Sequence, residues 1–251
     1  MRLGLVGHHL SHSFSKSYFT DFFERERLSH SYNIYEIDNI YDIIDIIDKN
    51  RLDGINVTSP YKEEIMPFLD EVDEAASKIG AVNVVKISRE AEKIRMKGFN
   101  TDIVGFEMLL SEAKRHTKIR QALVCGSGGA SKAVRYVLKN NNIQFITATR
   151  KNKKPEKDFI SYETLQGVGL SRFDLIINAT PLGMYPDTES CVILPFATMR
   201  SDSVAIDLIY NPEKTKFLRC AERSGAHIIN GLQMLIGQAE AAWKIFYNSA
   251  V

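Results

Sequence analysis

The chain has 251 residues, 44% of them hydrophobic, which is enough apolar material for one large domain or two of ordinary size. Its formal net charge of +1 gives no electrostatic reason to expect nucleic acid or an anionic membrane as a partner. The apolar run at the N-terminus is too short for a signal peptide, and no later run reaches the length of a membrane span, so we expect a cytoplasmic protein. Three widely spaced cysteines lack Cys-x-x-Cys spacing, and we expect them to be reduced.

The first hundred residues alternate apolar, strand-like runs with segments of helical spacing. Strands are expected at residues 2–6, 32–35 and 54–57, and helices near 16–27 and 40–47. This alternation is typical of βαβ units.

The next segment contains fewer periodic apolar residues. An acidic, alanine-containing stretch from 62 to 79 predicts a helix, and residues 82–87 and 95–97 predict a hairpin around a charged turn at 88–93. These elements would complete a first domain of residues 1–102.

The second half of the chain repeats strands and helices more regularly. The spacing predicts a parallel sheet covered on both faces, that is, a Rossmann-like doubly wound α/β domain at 103–231. A long apolar helix at 232–247 would return to the first domain, which residues 232–251 would complete. The expected strands of this sheet lie at residues 121–125, 143–149, 175–178, 204–207 and 228–229.

A glycine cluster directly follows the strand at 121–125 and opens a helix. Gly126, Gly128 and Gly129 suit a tight turn that lets the backbone approach a pyrophosphate at a helix N-terminus. Ala133 stands where the common dinucleotide fingerprint has its third glycine, and it is small enough for close helix packing. The cluster therefore predicts a dinucleotide site.

The end of the next strand indicates which dinucleotide is bound. A carboxylate there would bind the ribose 2′-hydroxyl of NAD, but the strand ends in Thr149, Arg150 and Lys151. We therefore predict NADP (NADPH), with Arg150 on the 2′-phosphate, supported by Thr149 and Lys151. The alternative is an ordinary exposed basic turn.

A second polar group follows the strand at 54–57. Thr58 and Lys62 lie in the turn Thr-Ser-Pro-Tyr-Lys, and Asn83 and Asp102 lie in two later polar turns. A lysine paired with a carboxylate could transfer a proton to or from a substrate oxygen. The alternative for both Lys62 and Asp102 is a surface charge, the usual fate of these residue types.

Five motifs in order resemble those of the shikimate dehydrogenase family, and the resemblance covers the whole chain. It implies an NADP-dependent oxidoreductase that reversibly reduces 3-dehydroshikimate to shikimate in aromatic amino acid biosynthesis. The motifs are Ser-His-Ser-Phe-Ser at 11–15, Gly-Ile-Asn-Val-Thr-Ser-Pro-Tyr-Lys at 54–62, Gly-Ser-Gly-Gly-Ala at 126–130, Asn-Ala-Thr-Pro-Leu-Gly-Met at 178–184 and Asn-Gly-Leu-Gln-Met-Leu-Ile-Gly-Gln at 230–238.

The resemblance also implies roles for individual residues. Lys62 and Asp102 would be the catalytic pair. The residues implied to bind substrate besides this pair are Ser13, Ser15, Thr58, Asn83, Tyr210 and Gln238. Those implied to bind the cofactor are Gly126, Gly128, Gly129, Ala130, Thr149, Arg150, Lys151, Thr180, Gly183, Met184, Leu208, Gly231 and Met234.

The chain departs from the family pattern at a few positions. Lys16 and Phe19-Thr20 replace a Pro and a His-Asn pair after the serine motif, and Ser59 and Tyr61 replace commoner residues beside Lys62. These changes affect the start of a helix and the surroundings of the lysine more than the implied chemistry.

Two other functions stay open at this point. One is a quinate/shikimate dehydrogenase that uses NAD or NADP, and the other is a non-catalytic, NADP-sensing binding protein on the same fold. His8, His9 and His12 follow the first strand without a nearby carboxylate ligand, so no metal is expected. The expected partner is a small-molecule substrate, and the protein is expected to be a monomer or a homodimer.

Overall fold

The computed structural model describes residues 1–8, 10, 14–90, 93–150 and 158–248. Its contacts divide the chain into two compact units. The first comprises Met1–Thr101 with Ala239–Val251, and the second comprises Asp102–Gln238. Each unit contains one six-stranded sheet.

The first unit has a mixed sheet in the order β2-β1-β3-β5-β6-β4. Strands β1, β2 and β3 are parallel, whereas β5 runs antiparallel to both β3 and β6. The strands are β1 (Arg2–Gly7), β2 (Ser31–Glu36), β3 (Gly54–Val57), β4 (Glu71–Val72), β5 (Val84–Glu90) and β6 (Lys93–Phe99).

Helices α1 (Phe14–Arg25), α2 (Ile43–Lys49) and α3 (Glu74–Ile79) belong to this unit. Side chains alternate between the two faces of a strand, so β1 supplies two cores. Val6 packs with α2 in one core, and Leu3 and Leu5 pack with α1 in the other.

The prediction of one helix over 62–79 is wrong. The segment instead forms a short 3-10 helix (Met66–Phe68), strand β4 and helix α3. Pro67 has no N–H for a continuing helix, and β4 pairs with β6. Asp73 then begins α3, because its carboxylate accepts hydrogen bonds from the N–H groups of Ala75 and Ala76.

The predicted hairpin is present, but its strands are longer than expected. Pairing of β5 with β6 continues to Glu90 and Lys93, so most of the charged stretch at 88–93 is strand. Alternating side chains explain this, since charged residues are tolerated on the solvent face of an antiparallel pair.

The second unit has an all-parallel sheet in the order β12-β11-β10-β7-β8-β9. Numbered from its own first strand this is 6-5-4-1-2-3, the doubly wound order of dinucleotide-binding sheets, and it confirms the predicted fold class. The strands are β7 (Gln121–Cys125), β8 (Gln144–Thr149), β9 (Phe159–Ser161), β10 (Leu175–Asn178), β11 (Val204–Asp207) and β12 (His227–Ile229).

The helices of this unit are α4 (Asp102–His116), α5 (Gly129–Asn140), α6 (Tyr162–Val168) and α7 (Lys216–Arg223). One core lies on the side of α4 and α5, and the other on the side of α6 and α7. Burial on both faces explains the near-continuous apolar strands of the sequence. Strand β9 and helices α4, α6 and α7 were not among the predicted elements.

The last helix, α8 (Leu232–Tyr247), is divided between the units, which meet in the chain at Gln238 and Ala239. The contacts assign Asp102 and residues 232–238 to the second unit, whereas the sequence placed them in the first. The reason is packing. Asp102 is the first residue of α4, and Met234 lies in the same core as α4.

Within the described residues, no helix combines the length and the apolar character needed to cross a bilayer.

Helices α4 and α8 pack closely at Gly105, and this contact can be tested. A Cβ atom there would lie 2.4 Å from the carbonyl oxygen of Met234. We expect Gly105→Ala to lower the free energy of unfolding by about 1–3 kcal/mol, despite the higher helix propensity of Ala.

Gly167→Ala is the matched control, because a Cβ there, also within a helix, meets no atom of the described residues within 4 Å. We expect this variant to be neutral or more stable by up to about 1 kcal/mol. Urea unfolding would check both, and equal stability of the two variants would contradict the packing described.

Candidate active site

The glycine turn after β7 has the geometry that a pyrophosphate requires. Gly126 has φ +105°, and a Cβ atom at this position would lie 2.9 Å from the carbonyl oxygen of Ala179. Both the left-handed backbone and the close approach require glycine. The Gly126 carbonyl accepts a hydrogen bond from Ser131 Oγ at 2.7 Å, which fixes the turn to α5.

Helix α5 begins with its N-terminal N–H groups available to an anion. Gly128 is the N-cap residue and has no side chain to occupy these donors, and Gly129 and Ala130 form the first turn. A Cβ at Gly128 would meet no atom of the described residues within 4 Å. This open space in front of a 12-residue helix fits a phosphate group.

The sheet order brings a second loop to the same place. Strand β10 lies beside β7, and the loop after β10 meets the glycine turn, with Thr180 Cγ2 3.0 Å from a Cβ placed at Gly126. This is the topological switch point of the sheet, because the chain extends outward from it in both directions. Ligands of open α/β sheets bind at such a point.

The end of β8 carries the residues predicted to select NADP. Thr149 is buried and Arg150 is exposed, while Lys151 lies outside the described residues. Neither Thr149 nor Arg150 carries the carboxylate that would favour a free ribose 2′-hydroxyl.

A buried carboxylate, Asp207, lies at the end of β11. Its Oδ1 accepts hydrogen bonds from Asn178 Nδ2 at 3.1 Å and from the N–H of Ile209 at 3.0 Å. Its Oδ2 accepts a hydrogen bond from Thr215 Oγ1 at 2.5 Å. Burial raises the pKa of Asp207 to about 6, and these three donors oppose the rise because they stabilise the charged form.

The other predicted cofactor residues lie in the loops around this carboxylate. Gly231 packs directly against Leu208, since a Cβ there would lie 2.0 Å from the Leu208 carbonyl oxygen. Gly183 has φ +99°, and its N–H donates to Ser190 Oγ at 2.8 Å. Met184 is exposed.

Met234 differs from these residues because its side chain is buried in the core of the second unit. Its predicted role beside the cofactor stays a prediction.

In the first unit, the turn after β3 places Thr58 and Lys62. The N–H of Thr58 donates to the Val6 carbonyl at 2.9 Å, so β1 supports the turn. The Lys62 carbonyl accepts a hydrogen bond from the N–H of Val82 at 2.7 Å. Val82 directly precedes Asn83, so this bond joins two of the polar segments singled out in the sequence.

Asn83 is hydrogen-bonded to the polar segment that contains Asp102. Its Oδ1 accepts a hydrogen bond from the N–H of Thr101 at 2.7 Å, and its Nδ2 donates to Thr101 Oγ1 at 3.1 Å. Asn83 is 4% exposed and Thr101 2%. The next residue, Asp102, is also buried and begins α4.

Of the two predicted carboxylate ligands, Ser15 lies in the first turn of α1 and Ser13 lies outside the described residues. The hydroxyl of Tyr32 in β2 donates a hydrogen bond to Asn56 Oδ1 at 2.8 Å. Burial raises the pKa of Tyr32 well above its usual value, so this hydroxyl stays neutral.

Two further predicted substrate ligands, Tyr210 and Gln238, are half-buried in the second unit. The sequence indicated no carboxylate near the histidines after β1, but His8 Nε2 lies 3.4 Å from Asp38 Oδ1, because β1 and β2 pair in parallel and both residues follow these strands. His9 and His12 are outside the described residues. The described part of the chain contains no cluster of three or more His, Cys, Asp or Glu residues that could hold a metal ion.

Sequence reasoning assigned no role to Thr101, Asn178, Asp207 or Thr215. Asn178 does lie within a quoted motif, and both Asn178 and Asp207 end expected apolar strands. A polar residue that ends a buried parallel strand must find partners at the sheet edge, and this was the available signal.

These features define a class of protein: a two-unit α/β chain whose second unit has the switch point, glycine turn and helix N-terminus of a dinucleotide-binding domain. A sequence model of the shikimate dehydrogenase substrate binding domain matches residues 5–85. A shikimate dehydrogenase (NADP(+)) from Methanocaldococcus jannaschii is 39% identical over 97% of this chain and 90% of its own length.

Solved structures agree with this relation. Shikimate 5-dehydrogenase from Thermus thermophilus, in complex with NADP(H) and shikimate, has a TM-score of 0.83 at 29% identity, covering 98% of this chain and 93% of that one. Quinate dehydrogenase from Corynebacterium glutamicum, in complex with NAD, has a TM-score of 0.84 at 26% identity, covering 98% and 93%. The chain belongs to the shikimate dehydrogenase family.

The raised pKa of Asp207 predicts a pH-dependent contribution to stability. Below about pH 4 the carboxyl is protonated in both the folded and unfolded protein, and above about pH 6 it is charged in both. Between these values the folded protein binds more protons, so Asp207 lowers stability as the pH rises, by up to about 3 kcal/mol.

Urea unfolding of wild type and Asp207→Asn between pH 4 and 7 would check this contribution. We expect the free energy of unfolding of wild type to fall relative to that of Asp207→Asn as the pH rises. A difference that does not vary with pH would contradict the assignment.

Proposed function

We propose that this protein is an NADP-dependent shikimate dehydrogenase, an oxidoreductase that acts on a CH-OH group. It reversibly reduces 3-dehydroshikimate to shikimate with NADPH, in the pathway to chorismate and the aromatic amino acids. The observation that carries the proposal is family membership over 97% of the chain. The glycine turn after β7, where the second sheet can receive a dinucleotide, supports it.

The cofactor would bind along the carboxyl edge of the second sheet. Gly126, Gly128, Gly129 and Ala130 would hold its pyrophosphate, because the turn is open and the helix N-terminus favours negative charge. Arg150 would pair with the 2′-phosphate. Thr149 and Lys151 would assist it.

The loops beyond the switch point would hold the nicotinamide end. Thr180 and Leu208 are half-buried, and the backbone at Gly183 and Gly231 passes close to neighbouring segments. These residues could present backbone groups and apolar surface to a ring, and Met184 and Met234 are proposed to complete the site.

The substrate is proposed to be held by polar side chains that suit a small polyhydroxylated carboxylate. Ser13 and Ser15 would bind its carboxylate. Neutral side chains suit its ring hydroxyls, because they donate or accept hydrogen bonds without adding charge. The residues proposed for the hydroxyls are Thr58, Asn83, Tyr210 and Gln238.

Lys62 is proposed to transfer the proton. Bound NADPH supplies the hydride, as this cofactor does in dehydrogenases generally. Lys62 Nζ would donate a proton to the carbonyl oxygen that becomes the alcohol, and it would accept that proton in the reverse direction. Asp102 would orient the ammonium group.

Two alternatives are less well supported. A quinate/shikimate dehydrogenase using NAD would fit a carboxylate at the end of β8, but this strand ends at Thr149 and is followed by Arg150. A non-catalytic NADP-sensing protein has no use for the lysine and aspartate together.

We propose a cytoplasmic enzyme that acts on a small molecule without nucleic acid or membrane partners. A monomer or a homodimer is expected.

The proton-transfer role is tested by Lys62→Met, which keeps the length of the side chain and removes its charge. We expect kcat for shikimate oxidation to fall at least about 100-fold, because general acid-base catalysis contributes on that scale. NADPH binding, followed by nucleotide fluorescence, should be unchanged.

Lys78→Met is the control for this variant. Lys78 is an exposed lysine of the same unit, in an ion pair with Glu74 at 2.5 Å. It should retain wild-type turnover. Normal turnover in Lys62→Met would reject the assignment, and turnover of quinate with NAD by wild type at an equal rate would favour the alternative enzyme.

The cofactor choice is tested by Arg150→Ala. We expect the KM for NADP to rise about 10- to 100-fold, since a charged hydrogen bond contributes about 1.5–3 kcal/mol, while the KM for NAD stays the same. Arg120→Ala is the control, because Arg120 is exposed and directly precedes β7, at the amino ends of the strands. This variant should change neither constant. An unchanged KM for NADP in Arg150→Ala would remove Arg150 from the site.

A further inference from the structure

We propose that Asp207 is a positioning residue for the nicotinamide half of the cofactor site, because its carboxylate joins the loops after β10 and β11 to helix α7. The inference rests on the proposed function, since it assumes that these two loops receive the nicotinamide. It assigns Asp207 no contact with the cofactor.

The carboxylate accepts one hydrogen bond from each of three segments. Asn178 belongs to the end of β10, Ile209 to the loop after β11, and Thr215 to the N-terminus of α7. All three are donors, so the surroundings suit a charged acceptor. Asp207 and Thr215 are both 0% exposed, which removes competition from water.

Asn178 transmits this constraint to the loop after β10. Its Nδ2 also donates to the Leu182 carbonyl at 3.3 Å, and its Oδ1 accepts hydrogen bonds from the N–H of Thr180 at 3.1 Å and from Thr180 Oγ1 at 2.7 Å. The amide can make these bonds in only one orientation, and the bond to Asp207 selects it. The position of Thr180 therefore depends on Asp207.

The loop after β11 is tied in the same way. The N–H of Leu208 donates to the Asn178 carbonyl at 3.0 Å, and the N–H of Gly231 donates to the Ile209 carbonyl at 3.0 Å. The bond from the N–H of Ile209 to Asp207 therefore fixes a segment that connects the ends of three neighbouring strands. Leu208 and Gly231 are both proposed cofactor residues.

Thr215 allows the network to be weakened without replacing the buried carboxyl group itself. Its hydroxyl donates to Asp207 Oδ2 and accepts a hydrogen bond from the N–H of Leu218 at 3.3 Å. Thr215→Val removes both bonds at nearly constant volume, and Thr215→Ser retains the hydroxyl. A loosened carboxylate should allow both loops to shift.

A control residue with the same kind of hydrogen bonds, but exposed, exists in the same unit. Thr198 Oγ1 accepts a hydrogen bond from the N–H of Leu170 at 2.8 Å and donates to the Pro195 carbonyl at 2.7 Å. It supports the chain between α6 and β10, and so the amino edge of the sheet. Thr198→Val should lower the melting temperature and leave nucleotide binding unchanged.

The test compares two nucleotides by direct titration. NADPH contains the nicotinamide, and adenosine 2′,5′-bisphosphate contains only the part proposed to bind at the ends of β7 and β8. We expect Thr215→Val to weaken NADPH binding at least fivefold and to leave the bisphosphate within twofold of wild type. Thr215→Ser and Thr198→Val should bind both as wild type does.

Asp207→Asn should show the same selective loss of NADPH binding more strongly. If this variant does not fold, the result for Thr215→Val tests the inference. An equal loss for both nucleotides in Thr215→Val, or unchanged NADPH binding, would overturn the inference. Wild-type protein that binds NADPH but does not oxidise shikimate would contradict the proposed function, and the binding comparison would still test Asp207.

Discussion

The meeting of two strand-end loops at the centre of the second sheet is the constraint on which the rest of the cofactor site depends. Because β7 and β10 are neighbours, the glycine turn and the loop after β10 share one small space, with the Ala179 carbonyl 2.9 Å from where a Cβ of Gly126 would lie. This proximity leaves no room for a side chain. It places a helix N-terminus beside polar loops, which is the combination a dinucleotide needs.

The two units would contribute different residues to the proposed reaction. The second unit has open backbone donors and a buried carboxylate network at the sheet edge, which suit binding and orientation of a cofactor. Under the proposed function, the first unit would supply the lysine, in a turn that is hydrogen-bonded to β1 and to the segment before Asn83. Binding groups held by backbone hydrogen bonds lose little entropy when a ligand arrives, which favours binding.

Much of this architecture could be predicted from the sequence, for identifiable reasons. Buried parallel strands such as Leu175–Asn178 and Val204–Asp207 are continuous apolar runs, and they were predicted with the right ends. The segment 62–79 was mispredicted because pairing of β4 with β6 depends on residues distant in the chain. The roles of Thr101 and Asp207 escaped prediction for the same reason, since their partners are known only once the chain has folded.

As a shikimate dehydrogenase, this protein transfers a hydride between shikimate and NADP. Shikimate carrying deuterium on the carbon that becomes the carbonyl of 3-dehydroshikimate would be incubated with NADP and the purified protein, and the nucleotide would then be analysed by mass spectrometry. We expect reduced nucleotide that carries one deuterium. Bound NADP with no deuterium transfer, while the shikimate remains unchanged, would contradict it.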